Sequence, residues 1–372
     1  MKKIIIPFFN YPHVYKQYSK IIKPKLISIL ERGAFILQKE LETFEKNLAK
    51  FLKAKFVIGV ADGTNAILLS LRALNIKEGD EVIISSHTYI ATASAINDCG
   101  GIPVVIDCKK DFMMDETKIE KAITKKTKFI IPTQLNGRVC EMDQILKIAK
   151  KHKLIIIEDG AQSIGAKYNG KFSTTFGATG TLSFYPAKIL GCFGDGGAII
   201  TNDKILAKKL FQLRDHGRGP NGTVQSWGTN SRLDNIQALV LNIKLDNLKK
   251  DLKRRREIAS LYFEGLKNIK SLTLPPKPTN NEKNYDVFQN YELMAGERNK
   301  LRNYLKKNGI GTLIQWNGQP IHAIKGITVK KSSYKETDKI FKQIMMLPMN
   351  TALKDYEIKY IIEKIKKFYP DE

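Results

Sequence analysis

Long apolar runs are missing from this 372-residue chain: none approaches the ~18 residues that a membrane-spanning helix requires. Its opening, Met1-Lys2-Lys3-Ile4-Ile5-Ile6-Pro7, begins basic but carries too short an apolar stretch for a signal peptide, so a cytoplasmic chain is expected. Cysteine is scarce. Cys99, Cys108, Cys140 and Cys192 lie far apart, with no C-x-x-C pair and no histidine at ligand spacing. This argues against a disulfide framework and a zinc site, and no metal is expected. Acid is in deficit, 37 Asp and Glu against 62 Lys and Arg, giving a formal net charge of +25. Such an excess invites a nucleic-acid reading, with Lys253-Arg254-Arg255-Arg256 as the obvious patch. However, the surplus is mostly lysine scattered along the chain with acids between, and no nucleic-acid-binding signature accompanies it. The run reads as a solvated helix face; neither nucleic acid nor membrane is expected as a partner.

What is present is the composition of an ordinary globular protein, 42% hydrophobic and 27% charged, long enough for a large domain and a smaller one. The first dozen residues read as an extended arm, followed by amphipathic helices over 15–30 and 38–51. Strand-like runs over 56–60, 81–85, 101–107, 128–134, 154–158, 180–184 and 198–201 then alternate with helical patterns over 65–74, 89–98, 119–124 and 142–152. That alternation predicts an α/β fold, a three-layer αβα domain around a mostly parallel sheet, with residues 1–250 as the large domain. A helical region over 233–266 and a Pro-rich break at 274–278 lead into a smaller α+β domain, residues 251–372. There a strand is expected over 285–293, a helix over 297–308, a strand over 311–315, and helices to the end.

Three segments carry chemistry. Gly59-Val60-Ala61-Asp62-Gly63-Thr64-Asn65-Ala66 joins a strand to a helix. The helix N-terminal N–H groups with a threonine hydroxyl suit a phosphate, and a plain N-cap by Thr64 fits equally well. Ile155-Ile156-Ile157-Glu158-Asp159-Gly160-Ala161-Gln162 puts Asp159 at the C-terminal end of a buried strand, where ligands bind in open α/β sheets. A carboxylate there can keep the pyridine nitrogen of pyridoxal phosphate protonated, or simply cap the next turn. Ser183-Phe184-Tyr185-Pro186-Ala187-Lys188, before Gly194-Asp195-Gly196-Gly197, holds one lysine on a tight turn between a β-prone and a glycine-rich run. Lys188 would bind the aldehyde carbon and Ser183 the phosphate. Phosphate cradle, then strand-end Asp, then Lys is the order a fold-type-I pyridoxal phosphate enzyme needs.

With these residues the chain resembles the DegT–StrS-type sugar-nucleotide aminotransferases of the aspartate aminotransferase superfamily. The likeness runs through Gly33-Ala34-Phe35-Ile36-Leu37, Thr88-Tyr89-Ile90-Ala91-Thr92, Glu158 to Ser163, Ser183 to Asp203, Leu213-Arg214-Asp215-His216-Gly217 and Gly228 to Leu233. It implies Lys188 as Schiff-base lysine and proton shuttle, and Asp159 on the pyridine nitrogen. Gln162 would lie near the ring 3-hydroxyl, Tyr89 would stack on the ring, and Gly63, Thr64 and Ser183 would hold the phosphate. Asn230 would reach the phosphate of a neighbouring subunit, making a homodimer with shared sites. Arg232 and His322 are implied as substrate contacts, with an ion pair or capping role as the other reading. The implied reaction is ping-pong transfer of an amine from L-glutamate to a nucleotide-linked keto sugar, for surface glycan biosynthesis. The Gly194-Asp195-Gly196-Gly197 run is similar to relatives that aminate C-3, those acting at C-4 more often carrying Glu at the Asp195 position; a dTDP-linked 3-keto-6-deoxyhexose is implied. Amination at C-4, or a cofactor-binding regulator without turnover, are the alternatives. Asp62, where serine is common, sets a carboxylate beside the phosphate. Gln134-Leu135-Asn136-Gly137 replaces the frequent His-Leu-Tyr-Gly, which is expected to alter the sugar pocket.

Overall fold

A computed structural model describes residues 4–279, 283–327, 329 and 333–370; residues 1–3 of the expected arm lie outside it. Strands β1 (Phe56–Val60), β2 (Glu81–Ser85), β3 (Ile102–Ile106), β4 (Thr127–Ile131), β5 (Ile155–Asp159), β8 (Thr179–Ser183) and β9 (Gly197–Thr201) form one seven-stranded sheet, in the order β1-β9-β8-β5-β4-β2-β3. Only β9 runs against the others. The two short strands between β5 and β8 in sequence, β6 (Lys167–Tyr168) and β7 (Lys171–Phe172), make a side hairpin that pairs with β11 (Asn284–Tyr285). β10 (Leu272–Thr273), β12 (Tyr291–Ala295) and β13 (Ile344–Leu347) form a C-terminal antiparallel sheet.

The apolar strands of the large sheet, such as Ile83, Ile130 and Ile157, are fully buried because helices cover both faces. Among the helices are α1 (Tyr11–Glu31), α2 (Lys39–Leu52), α3 (Gly63–Ala73), α4 (Ile90–Asn97), α5 (Ile119–Ala122), α6 (Met142–His152), α7 (Lys204–Leu213), α8 (Asn235–Leu245) and α9 (Leu248–Leu266). Helices α10 (Arg298–Lys307), α11 (Lys335–Gln343) and α12 (Asp355–Phe368) follow. The chain is thus α/β with a mostly parallel sheet.

Several local expectations are corrected. The arm is shorter than a dozen residues, because Asn10 caps α1 by accepting from the His13 N–H at 3.2 Å and Pro12 fits the first helical turn. The helical region over 233–266 is two helices, and α9 runs straight through residue 250. The strand expected over 285–293 divides into β11 and β12, broken at Phe288, whose φ is +53°. Residues 311–315 make only an isolated bridge, Leu313 to Met346, before a tight turn. The Arg-rich run is solvated only in its first half, Lys253 and Arg254. Arg255 Nη1 donates to the carbonyls of Phe288, Gln289 and Met349, and Arg256 to those of Asp286 and Thr279, so both guanidiniums are buried struts.

Candidate active site

The parallel strands direct their C-terminal ends to one edge, where a cavity of about 710 Å³ opens. Gly63, Thr64, Tyr89, Asp159, Gln162, Ser183 and Lys188 all line it, although they come from four segments of the chain. Register explains part of this convergence. Ser183 on β8 and Val60 on β1 both pair with Gly197 on β9, so the two strand ends sit either side of one glycine. A Cβ at Gly197 would lie 2.3 Å from the Asp62 carbonyl, and one at Gly63 would lie 2.9 Å from the Ser183 Cβ. The turn can therefore lie flat on the sheet only because both positions are glycine.

The cap of α3 is Asp62, not Thr64. Its Oδ1 accepts from the Asn65 N–H at 2.8 Å and its Oδ2 from Asn65 Nδ2 at 2.7 Å, which engages both carboxylate oxygens at the edge of the cavity. The N–H groups of Gly63 and Thr64, at the first two helical positions, have no carbonyl within the helix, and both residues line the cavity. These donors, the helix dipole and the Ser183 hydroxyl make an anion site. Replacing Asp62 by alanine should cost about 1 kcal/mol in thermal unfolding, as for other caps.

Asp159 ends β5 and is buried. Its Oδ2 accepts from Thr92 Oγ1 at 2.7 Å and its Oδ1 from the Ala161 N–H at 3.2 Å. A hydroxyl chain continues from Thr92 through Thr88 (3.0 Å) to Thr133 (2.7 Å), fixing the carboxylate from behind. Next to it in sequence, buried Glu158 turns the other way. It accepts from the N–H groups of Thr174, Phe176 and Gly177 and from Gln134 Nε2. Burial pushes its pKa up despite those donors. Glu158 thereby holds Thr174, whose φ of +72° is rare for a β-branched residue, beneath the Asp159–Gly160 turn.

Lys188 follows a turn closed by its own N–H on the Tyr185 carbonyl at 2.8 Å. Lost hydration on the cavity floor pulls its ammonium below the ordinary lysine range, and the charge of Asp159 opposes the shift. Gln162 Oε1 accepts from the Asn136 N–H at 2.8 Å. Tyr89 is half exposed, its ring centroid 6.1 Å from that of Trp316.

Two expected substrate contacts are not on this cavity, and Asn230, expected at a neighbouring subunit's site, is not on it either. Arg232 donates to Asp215 Oδ1 at 2.9 Å, and His322 pairs with Asp338 at 2.8 Å while stacking on Tyr334. Asn230 is exposed, bridged to Asp215. Nor do Gln134 and Asn136 alter the cavity wall directly: Gln134 serves Glu158 and Asn136 serves Gln162 and Glu292. Sequence reasoning missed Phe8, Phe9, Gln289, Asn290 and Trp316, which do line the cavity. They lie far along the chain from the motifs; the paired αL residues Trp316 and Asn317 before Gly318 are visible only in the backbone.

A strand-end acid, a lysine of lowered pKa and the first turn of a helix on the carboxyl edge of a parallel sheet define a pyridoxal-phosphate-type α/β enzyme. The residues fit that cofactor: donors without acceptors for its phosphate, a buried carboxylate for its ring nitrogen, and an amine with reduced proton affinity for its aldehyde. Residues 17–366 match the DegT/DnrJ/EryC1/StrS aminotransferase family. The chain is 38% identical over 370 residues to a "pleiotropic regulatory protein" of Geobacillus stearothermophilus, covering 98% of each. It is also 38% identical over 366 residues to a dTDP-3-amino-3,6-dideoxy-alpha-D-galactopyranose transaminase of Aneurinibacillus thermoaerophilus, covering 98% of this chain and 99% of that one. The crystal structure of DesV from Streptomyces venezuelae superposes with a TM-score of 0.93 at 34% identity, covering 98% of each chain. The chain belongs to the DegT/DnrJ/EryC1/StrS aminotransferase family, and it is a pyridoxal-phosphate-dependent transferase.

Proposed function

We propose that the protein transfers an amino group from L-glutamate to C-3 of a dTDP-linked 3-keto-6-deoxyhexose, in the biosynthesis of a surface glycan. The observation that carries the chemistry is the convergence of Lys188, Asp159 and the Gly63–Thr64–Ser183 anion site on one cavity. Asp195, of the run that resembles C-3 enzymes, lines the same cavity, and the transaminase relative from A. thermoaerophilus has a name denoting a 3-amino product. When bound, the cofactor supplies an electron sink that makes a Cα–H bond acidic. The protein's own part is then positional and protonic. Gly63, Thr64 and Ser183 would hold the phosphate, Asp159 would keep the ring nitrogen protonated, and Gln162 and Tyr89 would lie against the ring. Lys188, which lines the same cavity, would carry the proton from the donor Cα, and burial lowers its affinity for that proton. Its depressed pKa serves that step, since an amine held as ammonium could not accept a proton.

The site is completed, on this reading, in a cytoplasmic homodimer, where exposed Asn230 reaches the partner's phosphate. A regulator without turnover is the second reading, favoured by the name of the G. stearothermophilus relative. One spectrum separates them. Reconstituted protein should show the yellow band of lysine-bound cofactor, and L-glutamate should replace it by the pyridoxamine absorbance. A band that ignores amino donors would favour the regulator. The aminated form should then turn over a 3-keto sugar nucleotide much faster than a 4-keto one; the reverse order would move the reaction to C-4.

A further inference from the structure

Lys188 is held from both sides by one side chain that lies about a hundred residues away. Gln289 Oε1 accepts from the Ile189 N–H at 2.8 Å, and Gln289 Nε2 donates to the Ala187 carbonyl at 2.9 Å. A single buried amide thus brackets the lysine by binding the peptide groups before and after it, as a neighbouring strand would. Gln289 belongs to the loop between β11 and β12, leading into the C-terminal sheet, and that loop is itself braced. Arg255 Nη1 donates to the carbonyls of Phe288 and Gln289 at 3.1 Å and of Met349 at 3.0 Å. The Val287 N–H donates to the Gly137 carbonyl at 2.8 Å. The next residue extends the grip to the far side of the cavity. Asn290 Nδ2 donates to Asn136 Oδ1 at 2.9 Å and to Gln315 Oε1 at 3.0 Å, while the Asn136 N–H holds Gln162.

We propose that Gln289 is a positioning residue for Lys188, through which the C-terminal sheet sets where the lysine amine points. The physical reason is leverage. A lysine amine stands four methylenes from its Cα, so a small rotation of the flanking peptides swings it by more than the tolerance of a proton transfer. Burial alone sets the amine's proton affinity but not its direction. Two hydrogen bonds from one rigid amide fix the plane of the backbone at Lys188, and the Arg255 strut fixes the amide. With Asn290 acting on Gln162 through Asn136, adjacent residues of one loop govern two groups that face the cofactor site. The inference rests on the proposed role of Lys188 and adds to it a residue whose amide is engaged by the backbone on both sides of that lysine.

The test compares Gln289→Leu, which removes both bonds, with Gln289→Glu, which keeps an acceptor for Ile189 and loses the donor to Ala187. Three readouts are taken: the rate at which cofactor-free protein takes up pyridoxal phosphate, the pH titration of the bound-cofactor absorbance, and the glutamate half-reaction. Gln289→Leu should slow uptake about tenfold, move the absorbance titration, and lower the half-reaction rate constant by up to ~100-fold with KM changed less than about twofold. Gln289→Glu should fall between Gln289→Leu and the parent in each readout. Parental uptake, titration and half-reaction in the folded variants would overturn the proposal, and so would losses that merely track the fraction of unfolded protein. Should Gln289→Leu fail to fold, Gln289→Glu decides alone by the same criteria. Absence of any glutamate response in the parent protein would strike the transaminase reading instead, and the uptake and titration comparisons would still judge Gln289.

Discussion

Lys188→Ala is expected to remove turnover by about 10⁴-fold or more, the scale of losing a positioned acid–base group, while leaving the fold intact. In the cofactor-free chain this lysine is a cost to the folded state. Desolvation disfavours its charged form, and the opposing attraction of Asp159 only partly compensates. In cofactor-free protein the unfolded chain therefore holds this proton more tightly than the folded chain does. The sign follows: stability contributed by this group rises with pH, from its lowered folded value up to the ordinary lysine 10.5. Lys188→Ala should lose that part of the slope and unfold no earlier than the parent at neutral pH. The measurement is a set of thermal or urea unfolding curves between pH 7 and 10, run beside the glutamate half-reaction. Retained turnover would overturn the assignment of Lys188; a collapse in stability would show that its amine makes a bond the fold depends on.

Much of this site is legible in sequence because the chemistry sits at strand ends. A phosphate turn, a strand-end acid and a lysine turn each follow a β-prone run, and a parallel sheet brings such ends to one edge whatever the length of the intervening helices. What stays hidden depends on partners far apart in the chain. The clamp of Gln289 on Lys188 spans 102 positions from Ala187 and 100 from Ile189. Arg255 and Arg256 read as solvated because charge on a helix is usually exposed, yet the carbonyls they serve lie on loops 23 to 94 residues away. Asp62 looks hostile to a phosphate until Asn65 is seen to take both its oxygens. β13 escapes notice because Ile344–Leu347, four apolar residues directly after α11, carries no turn signal of its own. His322 and Arg232 mark the opposite failure. Their types suit substrate binding, but each carboxylate partner, Asp338 and Asp215, is a residue whose placement only the fold supplies.

Beneath Gln162 lies the group whose replacement should most change the response to pH. Glu292 on β12 and His87 are both without solvent exposure, their Oε2 and Nε2 atoms 3.7 Å apart. Phe112, Trp316 and Phe341 pack edge-on around the imidazole, and Asn136 Nδ2, at 2.6 Å, is the donor to Glu292 Oε2. Burial pushes the carboxyl from an ordinary 4.5 up to about 8 and the imidazole from 6.5 down to about 3. At neutral pH the pair is accordingly a carboxylic acid beside a neutral imidazole. As pH rises above 4.5, the unfolded chain releases the Glu292 proton while the folded chain keeps it until about 8. The stability contributed by this group is thus present below 4.5 and is lost as pH climbs through about 8. Glu292→Gln has nearly the same shape, keeps an acceptor for Asn136, and has no proton to lose. It should match the parent near pH 4.5 and exceed it by about 3 kcal/mol at pH 7, each unit of retained shift being worth about 1.4 kcal/mol. Paired urea unfolding curves at the two pH values measure the difference directly. A Glu292→Gln variant less stable than the parent at pH 7 would mean that Glu292 is ionised in the folded chain, with His87 carrying its proton.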